Sequence, residues 1–315
     1  DSIAALTANT GGYITGAVNL TVTDSATIAQ LNTVDGYTSG TVTAPQITDS
    51  AATIAASSYV SATTAVALSS GTAAAVDLST IDGMTTVALD ASAVTTLTGT
   101  AAQITAAYAA NTAGTITGLG DEIAAVSDTG SVAATVLTDL DALTSGVIQA
   151  ATVTTLTGTA AQITAAYTAD TAGTITGLSD EIAVVSDTGS VAATVLTDLD
   201  ALTIGAVGFA SVTTLTGTAA QVAAAYTANT AGTITGLNDE AVILSGSASA
   251  LDITAIKTGN SAGTINGSAL TSINGSAAAV AQALAALDNA PTNFNAALTG
   301  SASADEIATI VGAVG

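Results

Sequence analysis

The sequence predicts a mixed α/β repeat solenoid, namely a parallel β-solenoid with a short Ala-rich helix in most coils of about 29–30 residues. Two observations predict this fold class. A long block that begins at Val94 recurs at Val153 and again at Val212, with the same step each time. Hydrophobic residues make up 49% of the chain but aromatic residues only 3%, so the apolar side chains are small and suit thin, stacked layers.

Each copy of this long repeat is itself double. Its shorter motif is an aliphatic residue, then Thr, Ser or Asn, usually Gly or Asp, a small hydroxyl residue and an Ala-rich run. The steps between successive motifs are about 29–30 residues from Leu68 to Ile273 and shorter outside this stretch. The motif follows eleven aliphatic residues: Val22, Ile47, Leu68, Leu97, Val126, Leu156, Val185, Leu215, Leu244, Ile273 and Leu298.

A unit of this length cannot bury its apolar face alone, so we expect successive units to stack. The regular spacing predicts a single continuous solenoid over residues 1–315. Its predicted parts are shorter, more divergent coils over 1–93, three double repeats over 94–270 and C-terminal coils over 271–315.

Each unit is predicted to contain one helix and one or two strands. The Ala-rich runs are good helix formers with apolar residues four apart, such as Ile104 with Tyr108, or Val132 with Val136 and Leu140. Segments such as TITGL, GVIQA and VTTL are rich in β-branched residues and predict short strands. Six glycines are expected to end the helices: Gly114, Gly146, Gly173, Gly205, Gly232 and Gly263.

The polar residues that precede the Ala-rich runs predict helix N-caps, because their side-chain oxygens accept from free N–H groups of the first turn. Ser127-Asp128 and Ser186-Asp187 belong to this group, with metal ligation as the less favoured alternative. Three tyrosines recur at the step of the long repeat and are expected on the packed face of the long helices, with a repeated external contact as the alternative: Tyr108, Tyr167 and Tyr226.

Composition excludes several function classes. The chain has 24 Asp and Glu residues, no His, no Cys and a single basic residue, Lys257, for a formal charge of −23. A His/Cys zinc site, a Cys nucleophile and a Ser-His-Asp triad are therefore excluded. Without cations to neutralise phosphates, we expect no nucleic-acid partner. No apolar run reaches the roughly 18 residues of a transmembrane helix, so we expect no membrane insertion.

Three other fold classes fit the sequence less well. The LxxLxLxxN pattern of leucine-rich repeats is missing, and a purely helical array would not contain the regular Thr- and Val-rich segments. Intrinsic disorder agrees with the charge but not with a mean hydropathy of +0.62.

Acid pairs recur at the step of the long repeat: Asp121-Glu122, Asp180-Glu181 and Asp239-Glu240. The favoured interpretation is a solvated charged turn or a helix start. Calcium is the one cofactor that the pairs suggest, because carboxylates and backbone carbonyls are suitable hard ligands. General acid-base catalysis is the least favoured interpretation, because an active site is usually unique rather than repeated.

Paired threonines invite a comparison with ice-binding solenoids. Thr115/Thr117, Thr174/Thr176 and Thr233/Thr235 each form a Thr-x-Thr pair. The intervening units lack the pair, so the ladder would be broken in every second coil. Strand propensity is the favoured explanation of these residues.

The phrases TAGTITGLGDE, LTGTAAQITAAY and LTDLDALTSG carry a resemblance to a known group of proteins. They resemble the Ala/Thr/Gly/Asp-rich repeats of very large surface and secreted proteins of marine cyanobacteria, and of some appendages of their phages. The similarity covers most of the chain and is strongest from Val94 to Gly263. It implies a structural, adhesive or motility-related role outside the cell. The calcium-binding nonapeptide GGxGxDxUx is absent, which argues against a classical calcium roll.

The combined features predict a non-enzymatic structural protein of an extracellular fibre, filament or surface layer. The first segment, DSIAALTANTGG, resembles the end of an internal unit, and the last, TGSASADEIATIVGAVG, resembles the start of one. They therefore predict head-to-tail self-association, with a segment of a longer array as the alternative. The other functions considered are an adhesin or tail-fibre segment that binds a glycan or cell surface, and a carboxylate-based polysaccharide hydrolase.

Overall fold

The computed structural model describes residues 1–312, and within them twelve helices alternate with twenty-two strands. The first half of the chain contains α1 (Ile3–Ala8), β1 (Leu20–Thr21), β2 (Ser25–Ala26), α2 (Ile28–Asp35), β3 (Val42–Thr43), β4 (Gln46–Asp49), α3 (Ala51–Ala55), β5 (Ala65–Leu68), β6 (Gly71–Ala74), α4 (Ala75–Asp82), β7 (Leu89–Asp90), β8 (Val94–Gly99), α5 (Ala101–Ala113), β9 (Ile116–Thr117), β10 (Ile123–Val126), β11 (Gly130–Ala133), α6 (Ala134–Asp141), β12 (Ile148–Gln149) and β13 (Val153–Gly158).

The second half continues the same alternation. It contains α7 (Ala160–Ala172), β14 (Ile175–Thr176), β15 (Ile182–Val185), β16 (Gly189–Ala192), α8 (Ala193–Asp200), β17 (Val207–Gly208), β18 (Val212–Gly217), α9 (Ala219–Ala231), β19 (Ile234–Thr235), β20 (Ala241–Ser249), α10 (Ala250–Gly259), β21 (Ile265–Gly275), α11 (Ala277–Ala286), β22 (Asn295–Leu298) and α12 (Ala304–Gly312). The predicted α/β class with parallel sheets and repeated helix-strand units is confirmed.

The chain forms two compact units. The first comprises Asp1–Thr129, Val136–Thr152 and Ala169–Gly177, and the second comprises Gly130–Thr135, Val153–Thr168 and the chain from Leu178 onward. The first unit holds a two-stranded sheet, β1-β3, and two five-stranded sheets, β2-β4-β5-β7-β9 and β6-β8-β10-β12-β14. The second unit holds the sheets β11-β13-β15-β17-β19 and β16-β18-β20-β21-β22. Neighbouring strands in these sheets run parallel.

The register stacks aliphatic side chains into buried rows. In the first unit, Leu97 lies opposite Ala124, Ala124 opposite Ile148, and Ile148 opposite Ile175. All four are fully buried. The second unit repeats this arrangement in one row of fully buried residues: Leu156, Ala183, Val207 and Ile234. Each row is a thin core of small and medium side chains, as the composition predicts.

The spacing between paired strands differs from the predicted coil length. Val132 lies opposite Leu156, and Leu156 lies opposite Ala183. Both separations along the chain are shorter than the predicted coil of about 29–30 residues. The two halves of the repeat fold differently, which explains the difference. TGTAAQI leads directly from β8 into α5, whereas SDTGSV forms a turn between β10 and β11 and the next helix begins only at Ala134.

The predicted helix start at Val132 is therefore wrong. Val132 belongs to β11, where it pairs with Leu156 of β13. Gly130, two residues before it, has a positive φ of 109° and starts the strand after a sharp turn. The pairing of a β-branched residue in a parallel sheet outweighs the helix propensity of the alanines that follow.

The glycines that were predicted to end helices have two different roles in the structure. Gly114 and Gly232 adopt the left-handed conformation at the C-caps of α5 and α9, as predicted. Gly146, Gly205 and Gly263 lie beyond the helix ends, so their predicted role as helix stops is wrong. A Cβ atom at any of these three would overlap the backbone carbonyl oxygen of an acid-pair glutamate, so glycine is required there by the close approach of two backbone segments.

Aspartates of the S-D motif cap the helix that precedes them in the chain, not the Ala-rich run that follows them. Asp128 Oδ2 accepts from the N–H of Ala101 at 2.6 Å, and Asp187 Oδ2 accepts from the N–H of Ala160 at 2.6 Å. The carboxylate satisfies an N–H group of the first turn and lies at the positive end of the helix dipole. The predicted capping chemistry is present, but it acts on the preceding helix.

Replacing Asp187 by alanine should lower the free energy of unfolding by about 1 kcal/mol, because α7 loses a charged cap at its first N–H group. Asp198→Ala, in the exposed part of α8, is the control and should change stability by less than about 0.5 kcal/mol. Urea denaturation of both variants measures the difference. Equal midpoints for the two variants would contradict the capping role.

No helix within residues 1–312 combines the length and apolar composition needed to cross a membrane.

Candidate functional site

The repeated acid pairs and the repeated tyrosines form the candidate site. Glu122, Glu181 and Glu240 are only 3%, 2% and 2% exposed, whereas the aspartate that precedes each of them is exposed. The prediction of a fully solvated charged turn is therefore wrong for the glutamates. The reason is strand alternation: in the first repeat, Glu122, Ala124 and Val126 point to the same, buried side of the chain.

The tyrosines lie on the long helices and are buried, which confirms the core-packing prediction. Tyr108, Tyr167 and Tyr226 are 2%, 1% and 2% exposed on α5, α7 and α9. Each tyrosine precedes the glutamate of its repeat by the same sequence separation.

In the third repeat, a direct hydrogen bond joins the tyrosine to the glutamate. The hydroxyl of Tyr226 donates to Glu240 Oε2 at 3.0 Å, and the N–H of Asn238 donates to Glu240 Oε1 at 3.0 Å. Burial, followed by the charge of Glu240, raises the pKa of Tyr226 well above its ordinary value. Asn260 is fully buried beside this pair and donates from Nδ2 to the backbone oxygen of Glu240 at 2.8 Å.

The tyrosine and the glutamate of the first repeat, Tyr108 and Glu122, have a different hydrogen-bond pattern. Glu122 Oε2 accepts from the N–H groups of Gly120 at 2.8 Å and Asp121 at 3.2 Å. Within residues 1–312, neither Glu122 Oε1 nor the Tyr108 hydroxyl has a partner with hydrogen-bond geometry. Burial, followed by the neighbouring Glu122, raises the pKa of Tyr108.

In the second repeat, as in the first, the glutamate side chain accepts a hydrogen bond from the backbone N–H of the aspartate before it. Glu181 Oε2 accepts from the N–H of Asp180 at 2.9 Å. The backbone of Glu181 is also covered by Gly205, at the position that Gly146 has in the first repeat.

Within the described residues, the six acidic side chains of these pairs do not form a group of three or more around a common point. Within the described part of the chain, no group of three or more acidic side chains has a metal-binding arrangement. Asp121, Asp180 and Asp239 point outward while Glu122, Glu181 and Glu240 point inward, so each pair divides between surface and interior. Calcium binding by these six residues stays a prediction.

Sequence reasoning missed a second repeated contact. The hydroxyl of Thr115 donates to Asp82 Oδ2 at 3.1 Å, and that of Thr233 donates to Asp200 Oδ2 at 3.0 Å. The hydroxyl of Thr117 donates to the backbone oxygen of Leu89 at 3.2 Å. These threonines of the Thr-x-Thr pairs therefore hydrogen-bond within the protein. The constant sequence separation between each aspartate and its threonine was the signal that could have revealed the contact.

Two surface grooves of the second unit lie along its helices. A groove of 520 Å³ between α9 and α10 is lined by alanines and threonines, with Tyr226 and Gly259 at its base. A Cβ atom at Gly259 would lie 2.9 Å from the Tyr226 ring, so this glycine allows the two helices to approach. A groove of 620 Å³ beside it carries two carboxylates, Asp200 and Asp252.

Comparisons with protein-family models, with curated proteins and with solved structures find no match for this chain.

Proposed function

We propose that the protein is a non-enzymatic structural element of an extracellular fibre, filament or surface layer, and that its parallel strands are the coils of a β-solenoid. The buried aliphatic rows carry this proposal. In each unit, one row continues from strand to strand with the same register and with full burial. Because each strand of such a sheet is hydrogen-bonded to the next, the stacked strands would be stiff along the stacking direction.

The sequence composition supports the same function. One basic residue and no His or Cys leave few groups for general acid-base or nucleophilic chemistry. Several carboxylates already have structural roles, such as the caps made by Asp128 and Asp187. An extracellular location is what the resemblance to marine surface proteins implies.

Self-association would extend the existing ladders. Strand β22 pairs with β21 on one side, and three of its four residues are exposed. Strand β2 pairs on one side only within the described residues, whereas the second edge of β1 is hydrogen-bonded to the backbone of Asp1. A second copy that adds its first strands to β22 would form a head-to-tail contact that propagates instead of closing.

Ala296→Pro is expected to abolish this association. The N–H of Thr299 donates to Gly275 of β21, so by strand alternation the N–H of Ala296 faces the free edge. Proline removes that donor and leaves the contacts with β21 in place. Ala296→Gly, which keeps the N–H group, is the matched control.

Negative-stain microscopy and sedimentation in millimolar calcium measure the outcome. We expect filaments from the wild type and from Ala296→Gly, and folded monomers from Ala296→Pro. Monomers from all three proteins, or filaments of equal length from all three, would contradict head-to-tail association through β22.

A further inference from the structure

Three tyrosines of the first unit lie at its surface and have no part in the features described above. We call them the tyrosine row: Tyr13, Tyr37 and Tyr59. Tyr13 is 53% exposed, Tyr37 is 36% exposed, and Tyr59 is half-buried. The other tyrosines of the chain are buried on the long helices, so the accessible phenol rings are confined to residues 13–59.

The first two rings are each held at both ends. The hydroxyl of Tyr13 donates to the backbone oxygen of Ala5 at 3.3 Å, and that of Tyr37 donates to the backbone oxygen of Thr7 at 3.1 Å. Both acceptors belong to α1 and are two residues apart, so the two rings lie beside the same helix. A ring fixed at its Cβ and at its hydroxyl has little freedom left to lose when a ligand packs on it.

The third ring continues the row along the stack of coils. The hydroxyl of Tyr59 donates to Asn32 Oδ1 of α2 at 2.9 Å, as Tyr37 beyond α2 reaches back to α1. The three tyrosines precede β1, β3 and β5. Strand β1 pairs with β3, and β4 pairs with β5. Because paired strands are about 4.8 Å apart, the three coils that carry the row extend over about 10 Å.

Later coils place an aliphatic residue where the second coil has Tyr37. The N–H of Tyr37 donates to the backbone oxygen three residues before it, and Leu143 and Leu202 make the same bond after α6 and α8. Both leucines are also exposed. Exposure of this position is therefore a property of the fold, whereas a phenol ring at it is not. Single exposed apolar side chains are ordinary, but anchored rings on consecutive coils are not.

The surroundings of the row favour a neutral ligand. The first unit has no basic side chain, because Lys257 belongs to the second, and Asp35 at the end of α2 is exposed. Polyanions are therefore repelled. The exposed neighbours with uncharged hydroxyl or amide groups include Thr10, Asn32 and Ser58. Aromatic rings with such neighbours complement a sugar ring, whose C–H face is apolar and whose rim is made of hydroxyl groups.

We propose that the tyrosine row binds an extended, neutral, β-1,4-linked glycan, with successive sugar rings packed on successive tyrosines. A row that runs along the stacking direction fits an extended chain, whereas an α-1,4-linked glucan curves away from it. This binding site goes beyond the structural function proposed above and does not depend on filament formation.

Isothermal titration calorimetry with cellohexaose tests the proposal, with maltohexaose and hexagalacturonate as the α-linked and anionic controls. We expect the wild type to bind cellohexaose and to bind both controls much more weakly. Tyr13→Ala and Tyr37→Ala should each lower the association constant by at least about tenfold, because each removes a ring on which a sugar packs. Leu202→Ala, at the equivalent exposed position of the second unit, is the matched control and should keep the wild-type affinity.

Tyr37→Phe separates packing on the ring from anchoring of the ring. The variant keeps the ring but lacks the bond to Thr7, so its affinity should fall less than that of Tyr37→Ala. Tyrosine fluorescence gives a second readout of binding, because the chain has no tryptophan, and circular dichroism verifies folding.

Three results would overturn the proposal: no binding of cellohexaose by the wild type, equal affinities of the wild type and Tyr37→Ala, or hexagalacturonate bound as tightly as cellohexaose. A wild type that self-associates without binding the glycan, together with a monomeric Tyr37→Ala, would assign the tyrosine row to a contact between copies and would overturn it too.

Discussion

Replacing Gly146 by alanine is expected to lower the free energy of unfolding by about 3 kcal/mol. The added Cβ would overlap the carbonyl oxygen and carbon of Glu122. Both groups are backbone, so no side chain can rotate away to make room. The segment around residue 146 would have to move, although the N–H of Ser145 is hydrogen-bonded to Gly120 and that of Gly146 to the Thr144 hydroxyl.

Gly83→Ala is the matched control for this experiment. Gly83 also follows a short helix, has a helical φ of −70°, and would place its Cβ no closer than 3.5 Å to other atoms. We expect a change of less than about 1 kcal/mol for this variant. Denaturant unfolding compares the two. If both variants unfold at the same concentration, the close approach at Gly146 does not constrain the fold.

Replacing Tyr226 by phenylalanine is expected to destabilise the protein by about 1–3 kcal/mol at neutral pH, because Glu240 Oε2 loses the donor that it has in the interior. The variant should also change the response to alkali. The folded protein raises the pKa of Tyr226, so the unfolded chain releases this proton first. The contribution of the tyrosine is therefore complete below about pH 10 and is lost as the pH rises toward the folded pKa.

The pH dependence can be measured by urea unfolding between neutral pH and pH 11.5. Each buried tyrosine should add roughly 1.4 kcal/mol of lost stability per pH unit above its unfolded pKa. Tyr226→Phe should lose stability less steeply than the wild type, and Tyr108 should account for part of the remaining slope. Tyr13→Phe is the control, because Tyr13 is 53% exposed. A slope in Tyr226→Phe equal to that of the wild type would refute this account.

The sequence was sufficient for the elements with strong local signals. Thr100 with Gln103 forms the capping box of α5, and Gly114 ends that helix, so both ends were predictable from residue type. The strand VTTL was predictable from its β-branched residues and is found as β8. These elements are determined within a few residues of the chain.

The elements that depend on distant contacts were not predictable in the same way. Gly146 has no unusual φ, and its role follows only from the segment that lies against it. Asp128 has the chemistry of a cap, but the choice of helix depends on a contact with Ala101, which is distant in the sequence. Glu122 could have been assigned to the interior from its alternation with Ala124 and Val126, although an acidic pair ordinarily indicates a surface turn.

Strands that pair are closer along the chain than successive copies of the long repeat are. Identical segments therefore do not lie opposite one another in the sheets. Two successive strand pairings lead from Val132 to Leu156 and on to Ala183, which is a shorter stretch of chain than the long repeat from Val94 to Val153. The three VTTLTG strands, β8, β13 and β18, consequently belong to three different sheets and never pair with each other. Each pairs instead with strands of different sequence on both sides.

This arrangement excludes one kind of pairing from the native sheets, that of one repeat copy with another through their VTTLTG strands. Chains with near-identical tandem segments are prone to exchange one copy for another, because a wrong partner offers nearly the same contacts as the right one. Here a VTTLTG strand that paired with another VTTLTG strand would form a ladder that occurs nowhere in the native sheets. Exchange between equivalent partners is a different matter, because β11 and β16 both read GSVA and each pairs with a VTTLTG strand.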